Sequence, residues 1–170
     1  NDGNDPVLGT FPGLRQDKQV RISGESFHVN YAGGTGNDLV LTRRGHDIVW
    51  TNNTSGDWNA AQNWSPNLVP GTNDTVFIYK GVTVTLNSDV EIYSLIFGSS
   101  VSSPTLTGTG TLTIGEAATW ERGTMSGSGR TLINAGATLA MTNTAFTVGL
   151  SARTLENGGM VLWTGANISL

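Results

Sequence analysis

The feature that most constrains this chain is a short internal repeat written in strand-forming residues. Thr111-Leu112, Thr131-Leu132 and Thr154-Leu155 each open a similar unit, at offsets of 20 and 23 residues (131 minus 111, and 154 minus 131). Three positions after each threonine stand Ile114, Asn134 and Asn157; six after, Ala117, Ala137 and Met160; nine after, Trp120, Ala140 and Trp163. A fixed period in this range marks a solenoid or array, in which no unit buries its apolar face alone and stacking makes the core. Units of about 20–23 residues with short β runs and glycine turns suit one turn of a parallel β-helix. The repeat predicts that Leu112, Leu132 and Leu155 face inward and stack ~4.8 Å apart. It also predicts that Asn134 and Asn157 form an amide ladder at a turn. An antiparallel sandwich rich in Thr and Gly is the competing reading.

The rest of the chain is also strand-like. Val, Ile and Thr alternate with Gly, and no stretch has convincing helical periodicity. Three regions separate by composition. Residues 1–44 hold short apolar runs, among them Phe27-His28-Val29-Asn30-Tyr31 and Leu39-Val40-Leu41, joined by a Gly-rich stretch that reads as a hairpin or tight crossover. Residues 45–80 are rich in Trp and Asn, with Pro66 and Pro70 arguing against a regular element between them. Residues 81–170 carry the repeat, with strands expected at 82–86, 92–97, 111–114, 131–134, 138–141, 154–157 and 160–164. The expected fold is all-β, a parallel β-helix at least in the C-terminal half, with residues 1–44 forming its first turns or a small cap.

Composition narrows the chemistry. Lys and Arg total 9 against 13 Asp and Glu, giving a net charge of -4. No basic stripe is present, so nucleic acid is not an expected partner. The chain has no cysteine, which excludes disulfides and thiolate metal sites. No apolar run approaches the ~20 residues of a spanning helix, so membrane insertion is not expected. Asn1-Asp2-Gly3 is no signal peptide, and both ends read as cuts inside a longer polypeptide.

Two stretches carry a resemblance. One is Asn1-Asp2-Gly3-Asn4-Asp5-Pro6-Val7-Leu8-Gly9-Thr10-Phe11-Pro12-Gly13-Leu14, followed by residues 27–42, which close on Tyr31-Ala32-Gly33-Gly34-Thr35-Gly36-Asn37-Asp38-Leu39-Val40-Leu41-Thr42. It resembles a unit of very large bacterial autotransporter-like and adhesin-like proteins, with an "NDG" opening, a "GTFxGL" segment and a "YxGGxGNDxVLT" close. The other, residues 120–127 with Arg153-Thr154-Leu155-Glu156-Asn157-Gly158-Gly159, resembles the β-helical repeats of similar surface proteins. The resemblance covers about half of the chain. It implies a secreted or cell-surface bacterial location, and a role in adhesion, glycan binding, display or spacing.

Candidate chemistry is sparse. Residues 33–41 fit the calcium-binding nonapeptide GGxGxDxUx, with Asp38 as the carboxylate ligand. A single copy gives half a coordination shell, and a plain glycine turn explains the same residues. His28 and His46 share no motif. Glu116, Glu121 and Glu156 lie near tryptophans, but short-range acidic residues on a β turn are more often solvated surface than the cleft pair a glycosidase needs. No nucleophile elbow, zinc motif or phosphate loop is present. The chain is read as non-catalytic and without a cofactor.

The tryptophans carry the binding hypothesis. Trp58 and Trp64 sit among Asn and Asp, as sugar-stacking rings often do, although a small core of indoles in a region poor in aliphatics explains them too. In that second reading Trp50, beside Ile48 and Val49, is the leading core residue. Trp120 and Trp163, with Ala140 between them, fall at equivalent positions two turns apart. If they faced outward, they would form two platforms ~10 Å apart, two strand spacings. The expected function is therefore polysaccharide or glycan binding, or adhesion, at the cell exterior. The alternative is a passive solenoid stalk that displays another domain, and a polysaccharide-degrading fragment ranks third. Adjoining repeats are the other expected partners, with self-association through an uncapped last turn at Met160, Val161, Leu162 and Ile168. A binding module exposes several aromatics on one face; a stalk exposes Thr, Ser, Asn and Gly.

Overall fold

A computed structural model describes residues 11–16, 19–23, 25–33, 38–165 and 167–170. The chain divides into two compact units, Asn1–His46 and Asp47–Leu170. The first is a three-stranded antiparallel sheet of β1 (Gln19–Ile22), β2 (Glu25–Gly33) and β3 (Asp38–Arg43), with β2 in the middle. Val29, opposite Leu41, is its fully buried residue. The Tyr31 hydroxyl accepts from the Phe11 N–H and donates to the Leu14 carbonyl, which ties residues 11–14 to β2. The strands at 27–31 and 39–41 pair as antiparallel neighbours, so the described strands of residues 1–44 do not supply parallel turns.

The second unit is a parallel β-solenoid. It opens with β4 (Asp47–Trp50), β5 (Gly56–Asp57), a 3-10 turn (Ala61–Asn63) and β6 (Trp64–Ser65). There follow β7 (Thr75–Ile78), β8 (Thr83–Thr85), β9 (Val90–Phe97), β10 (Thr105–Thr107), β11 (Thr111–Trp120) and β12 (Gly123–Ser126). The last strands are β13 (Arg130–Ile133), β14 (Thr138–Met141), β15 (Thr147–Ser151), β16 (Thr154–Asn157), β17 (Met160–Trp163) and β18 (Asn167–Ser169).

These strands stack on three faces. The first face holds residues 90–92 of β9, 111–114 of β11, then β13 and β16. The second runs β4, β7, residues 94–97 of β9, 117–120 of β11, then β14 and β17. The third runs β5, β8, β10, β12, β15 and β18. Strands β9 and β11 bend from the first face to the second, with a register shift between Ile114 and Ala117. Four turns thus carry all three faces, starting at β9, β11, β13 and β16, and two shorter turns precede them. Stacking begins at Asp47, upstream of residue 81.

Alternation within each strand explains the interior. On the second face, Ile48, Val76, Leu95, Ala118 and Leu139 point inward and are buried, as do Trp50, Ile78, Phe97, Trp120 and Met141. The third face buries Val84, Leu106, Met125 and Val148. Most strands present one to three apolar residues to a narrow interior, and only the stack makes them a continuous core.

The register differs by one residue from the one the Thr-Leu repeat predicts. Leu112 pairs with Thr131, and Thr131 with Leu155; Leu132 pairs with Thr113 and Glu156. Because side chains alternate, a one-residue slip turns a strand inside out. Leu112 is buried and Leu155 partly so, whereas Leu132 faces outward and Thr131 faces in. The amide ladder is absent for the same reason: Asn157 stacks on Ile133, not on Asn134, and its side-chain oxygen accepts from the Gly159 N–H in its own turn.

Candidate functional site

Three of the four proposed sugar platforms lie inside the fold. Trp58 and Trp64 are 0% and 1% exposed, and Trp120 is 1% exposed. A ring must show a face to solvent to stack on a pyranose, so none of these three does so, and they are withdrawn as stacking sites. Trp50, Trp58 and Trp64 instead pack edge to face, Trp50 on Trp64 at 4.8 Å and Trp58 on Trp64 at 4.9 Å between centroids. The Trp64 indole N–H donates to the Trp58 carbonyl at 2.7 Å. Their polar neighbours fasten this cluster. The Asn63 side chain, itself buried, donates to the Asp57 carbonyl and accepts from the Asn52 amide. Strand β6 runs antiparallel along β4. Residues 50–65 therefore close the first end of the stack.

Trp120 and Trp163 do belong to one column, but it points inward. Met141 pairs with Trp163, and Trp120 stands one residue beyond the Thr119–Ala140 pair, so Met141, not Ala140, separates the two indoles. Upstream, Trp120 pairs with Phe97 and Phe97 with Ile78. The Trp120 indole N–H donates to the Gly123 carbonyl. Trp163 is 57% exposed because its column has no residue beyond it, not because it lies on an outer face. Ala140 and Leu162 occupy the outward position.

Asp38 pairs with Gly33 where β2 and β3 come together. Residues 34–37 of the calcium nonapeptide lie outside the described residues. Among the described residues no group of three His, Asp or Glu side chains converges on a metal position. Glu156 points outward on the first face and pairs with Arg130 at 2.9 Å. Glu121 follows Trp120 at the corner between the second and third faces, so these two carboxylates do not share a face.

Two outward features remain. On the second face Val49, Phe77 and Ile96 form an outward column, half-buried, with Tyr79 packed on Phe77 at 5.6 Å and itself 41% exposed. Partial burial, with Glu121 and Asp47 nearby, raises the Tyr79 pKa above its usual value. On the third face the outward residues form two hydroxyl columns. Thr83, Thr105 and Thr124 make one, and Thr85, Thr107 and Ser126 the other.

The sequence reading missed Arg153. Its side chain is 4% exposed, inside the corner between the third and first faces. It donates to the carbonyls of Gly110 and Arg130 at 3.0 and 2.8 Å, and to the Thr131 hydroxyl at 3.0 Å. Gly110 and Gly129 occupy the equivalent corner positions of the two preceding turns. A Cβ on Gly129 would stand 2.7 Å from an Arg153 nitrogen, so the glycine leaves the room the guanidinium fills. Desolvation lowers the Arg153 pKa to about 10, still well above neutrality. A glycine-glycine-arginine alternation at one corner was the signal available in the sequence.

Comparison with protein-family models, with curated proteins and with solved structures gave no match.

Proposed function

We propose that this chain is a passive structural segment, a β-solenoid spacer of a large bacterial secreted or surface protein that holds other parts of the polypeptide at a distance. The observation that supports the reading is where the aromatic residues go. Four of the five tryptophans are spent in the interior, Trp50, Trp58, Trp64 and Trp120, while the outward columns of the third face are Thr and Ser. That distribution is the one expected of a stalk and not of an aromatic binding face. The interior is a repeated cross-section, so length is adjustable in units of one turn. The chain acts without catalysis in this reading, at the cell exterior.

The test is a duplicated turn. Because Thr111 pairs with Arg130, residues 111–129 constitute one turn, and a second copy inserted in frame gives a longer chain. The expected result is a folded chain with unchanged strand content per residue and equal or higher thermal stability. An insertion that unfolds the solenoid would overturn the spacer reading. Glycan binding remains the second reading, favoured by the outward Phe77–Tyr79 pair. A glycan array bound by the intact chain, and not by Tyr79→Ala, would replace the spacer with an adhesive module.

A further inference from the structure

The third face carries a regular two-dimensional array of hydroxyl groups, and we propose that it binds the surface of ice. The sequence writes the array as Thr83-Val84-Thr85, Thr105-Leu106-Thr107 and Thr124-Met125-Ser126, three successive strands with the middle residue buried in each. The pairing places Thr83 beside Thr105 and Thr105 beside Thr124, with Thr85 beside Thr107, and no register shift interrupts these pairs. Adjacent ranks are therefore ~4.8 Å apart, and the two columns stand about 6.6 Å apart along the strands, two residues of rise. Both repeats are comparable to oxygen–oxygen repeats in hexagonal ice.

Three further observations fit a lattice of water and not a flexible ligand. The threonine hydroxyls at 83, 85, 105, 107 and 124 make no hydrogen bond within the described protein, so each keeps one donor and two acceptor positions for water. Threonine is β-branched and stiff at χ1, so stacked threonines hold hydroxyl and methyl in a fixed pattern at low entropic cost. The methyls restrict the water between the hydroxyls. No charged side chain belongs to β8, β10 or β12, and the second column is bounded on its first side by Asp57, which pairs with Thr85. The array narrows at β15, where Gly149 pairs with Thr124 and Ser151, opposite Ser126, continues the second column alone. A Cβ at Gly149 would stand 2.6 Å from the Thr124 hydroxyl, so the first column cannot simply continue as threonine. Five free threonine hydroxyls, with Ser126 donating to the Leu106 carbonyl, make a small ice-binding area over three ranks, which suits inhibition of recrystallisation better than deep freezing-point depression.

The experiment uses the whole chain in two assays, ice-crystal shaping in a nanolitre osmometer and recrystallisation in a frozen sucrose film. Faceted crystals and arrested grain growth are expected for the wild type. Thr105→Lys, at the centre of the first column, should lose both effects while keeping the wild-type circular dichroism and melting temperature. Thr107→Tyr is the companion variant should the lysine perturb folding. Glu91→Lys, outward on the first face, should retain full activity. Round, unshaped crystals with the wild type would overturn the proposal, as would equal activity in a folded Thr105→Lys chain. So would a loss of polysaccharide retention in Thr105→Lys without any effect on ice, which would assign the face to a sugar polymer.

Discussion

Arg153 is the residue whose environment is hardest to reconcile with an ordinary β-solenoid interior. A buried guanidinium is costly, and here neutral oxygens of Gly110, Ser126, Arg130 and Thr131, from three successive turns, offset that cost. Thr131 explains why it is tolerated: an inward leucine at that position would leave the Arg153 Nε–H unsatisfied. Replacing Arg153 by Met should destabilise the chain by about 1–3 kcal/mol, since the Arg130 carbonyl and the Thr131 hydroxyl lose this donor and the Gly110 carbonyl keeps only the 3.3 Å bond from the Arg130 N–H. Arg153→Lys should recover little, because an ammonium lacks the planar fork that reaches several acceptors at once. Urea unfolding of the three chains measures this; a rescue by lysine would mean that charge alone matters. Asp89 gives a pH-dependent counterpart at the surface. Its carboxylate accepts from the Thr111 backbone N–H at 2.7 Å, and hydrogen bonding from Thr111, helped by Arg130, lowers its pKa. The folded pKa lies below the unfolded one, so the contribution is complete above the ordinary carboxylate range and is lost as pH falls through the lower folded value. Asp89→Asn should therefore flatten the decline in stability between pH 5 and pH 3 (on the order of one ordinary carboxylate titration). Parallel acid-titration curves for the two chains would show that the bond contributes nothing.

At the scale of elements, many strands of the first two faces were legible, whereas β10, β12, β15 and β18 of the third face were not, and neither was strand register. Short alternating runs bounded by Gly announce a strand whichever face is buried, so the strands at 92–97, 138–141 and 154–157 were readable directly. The register of β13 was not readable, because Thr and Leu are both good strand formers and the repeated Thr-Leu pair suggests a common phase. Only the partner of Thr131, 22 residues away, makes an inward threonine reasonable. The tryptophans misled for a related reason. Asn52 and Asn63 look like sugar ligands in sequence, but their amides hold a cap together across 11 residues. The register makes a quantitative distinction. Leu112→Ala should cost ~2–5 kcal/mol, as for other buried leucines, whereas Leu132→Ala, on the outward side of β13, should cost less than about 1 kcal/mol. Thermal or urea unfolding compares them, and a larger loss at Leu132 would restore the register drawn from the Thr-Leu repeat.

For the molecule as a whole, the two ends of the solenoid are unlike, and stability should follow that difference along the axis. At the first end, β6 pairs with β4, and Trp58 and Trp64 cover the interior. At the other, β16, β17 and β18 each pair with a neighbour on one side. Their inward residues Leu155, Val161 and Ile168 are only partly buried. In a stack whose turns touch only their neighbours, each turn's stability is its own plus that of its interfaces, so a turn with one interface opens first. Amide hydrogen exchange should therefore be slowest in β9 and β11, around Ile92, Leu112 and Ile114, and fastest in β16–β18. Arg153 supplies a sharper form of the same test. Its backbone lies at the corner that leads into the last turn, and its side chain ends on the carbonyl of Gly110, so it couples the start of the end turn to the interior of the stack. In Arg153→Met the boundary of slow exchange should retreat by about one turn, taking β13 from the protected to the fast class, while β7 and β9 keep wild-type rates. Uniform protection from β7 to β18 in the wild type would mean that the solenoid unfolds as one unit. A boundary unmoved by Arg153→Met would confine the guanidinium to satisfying its local carbonyls.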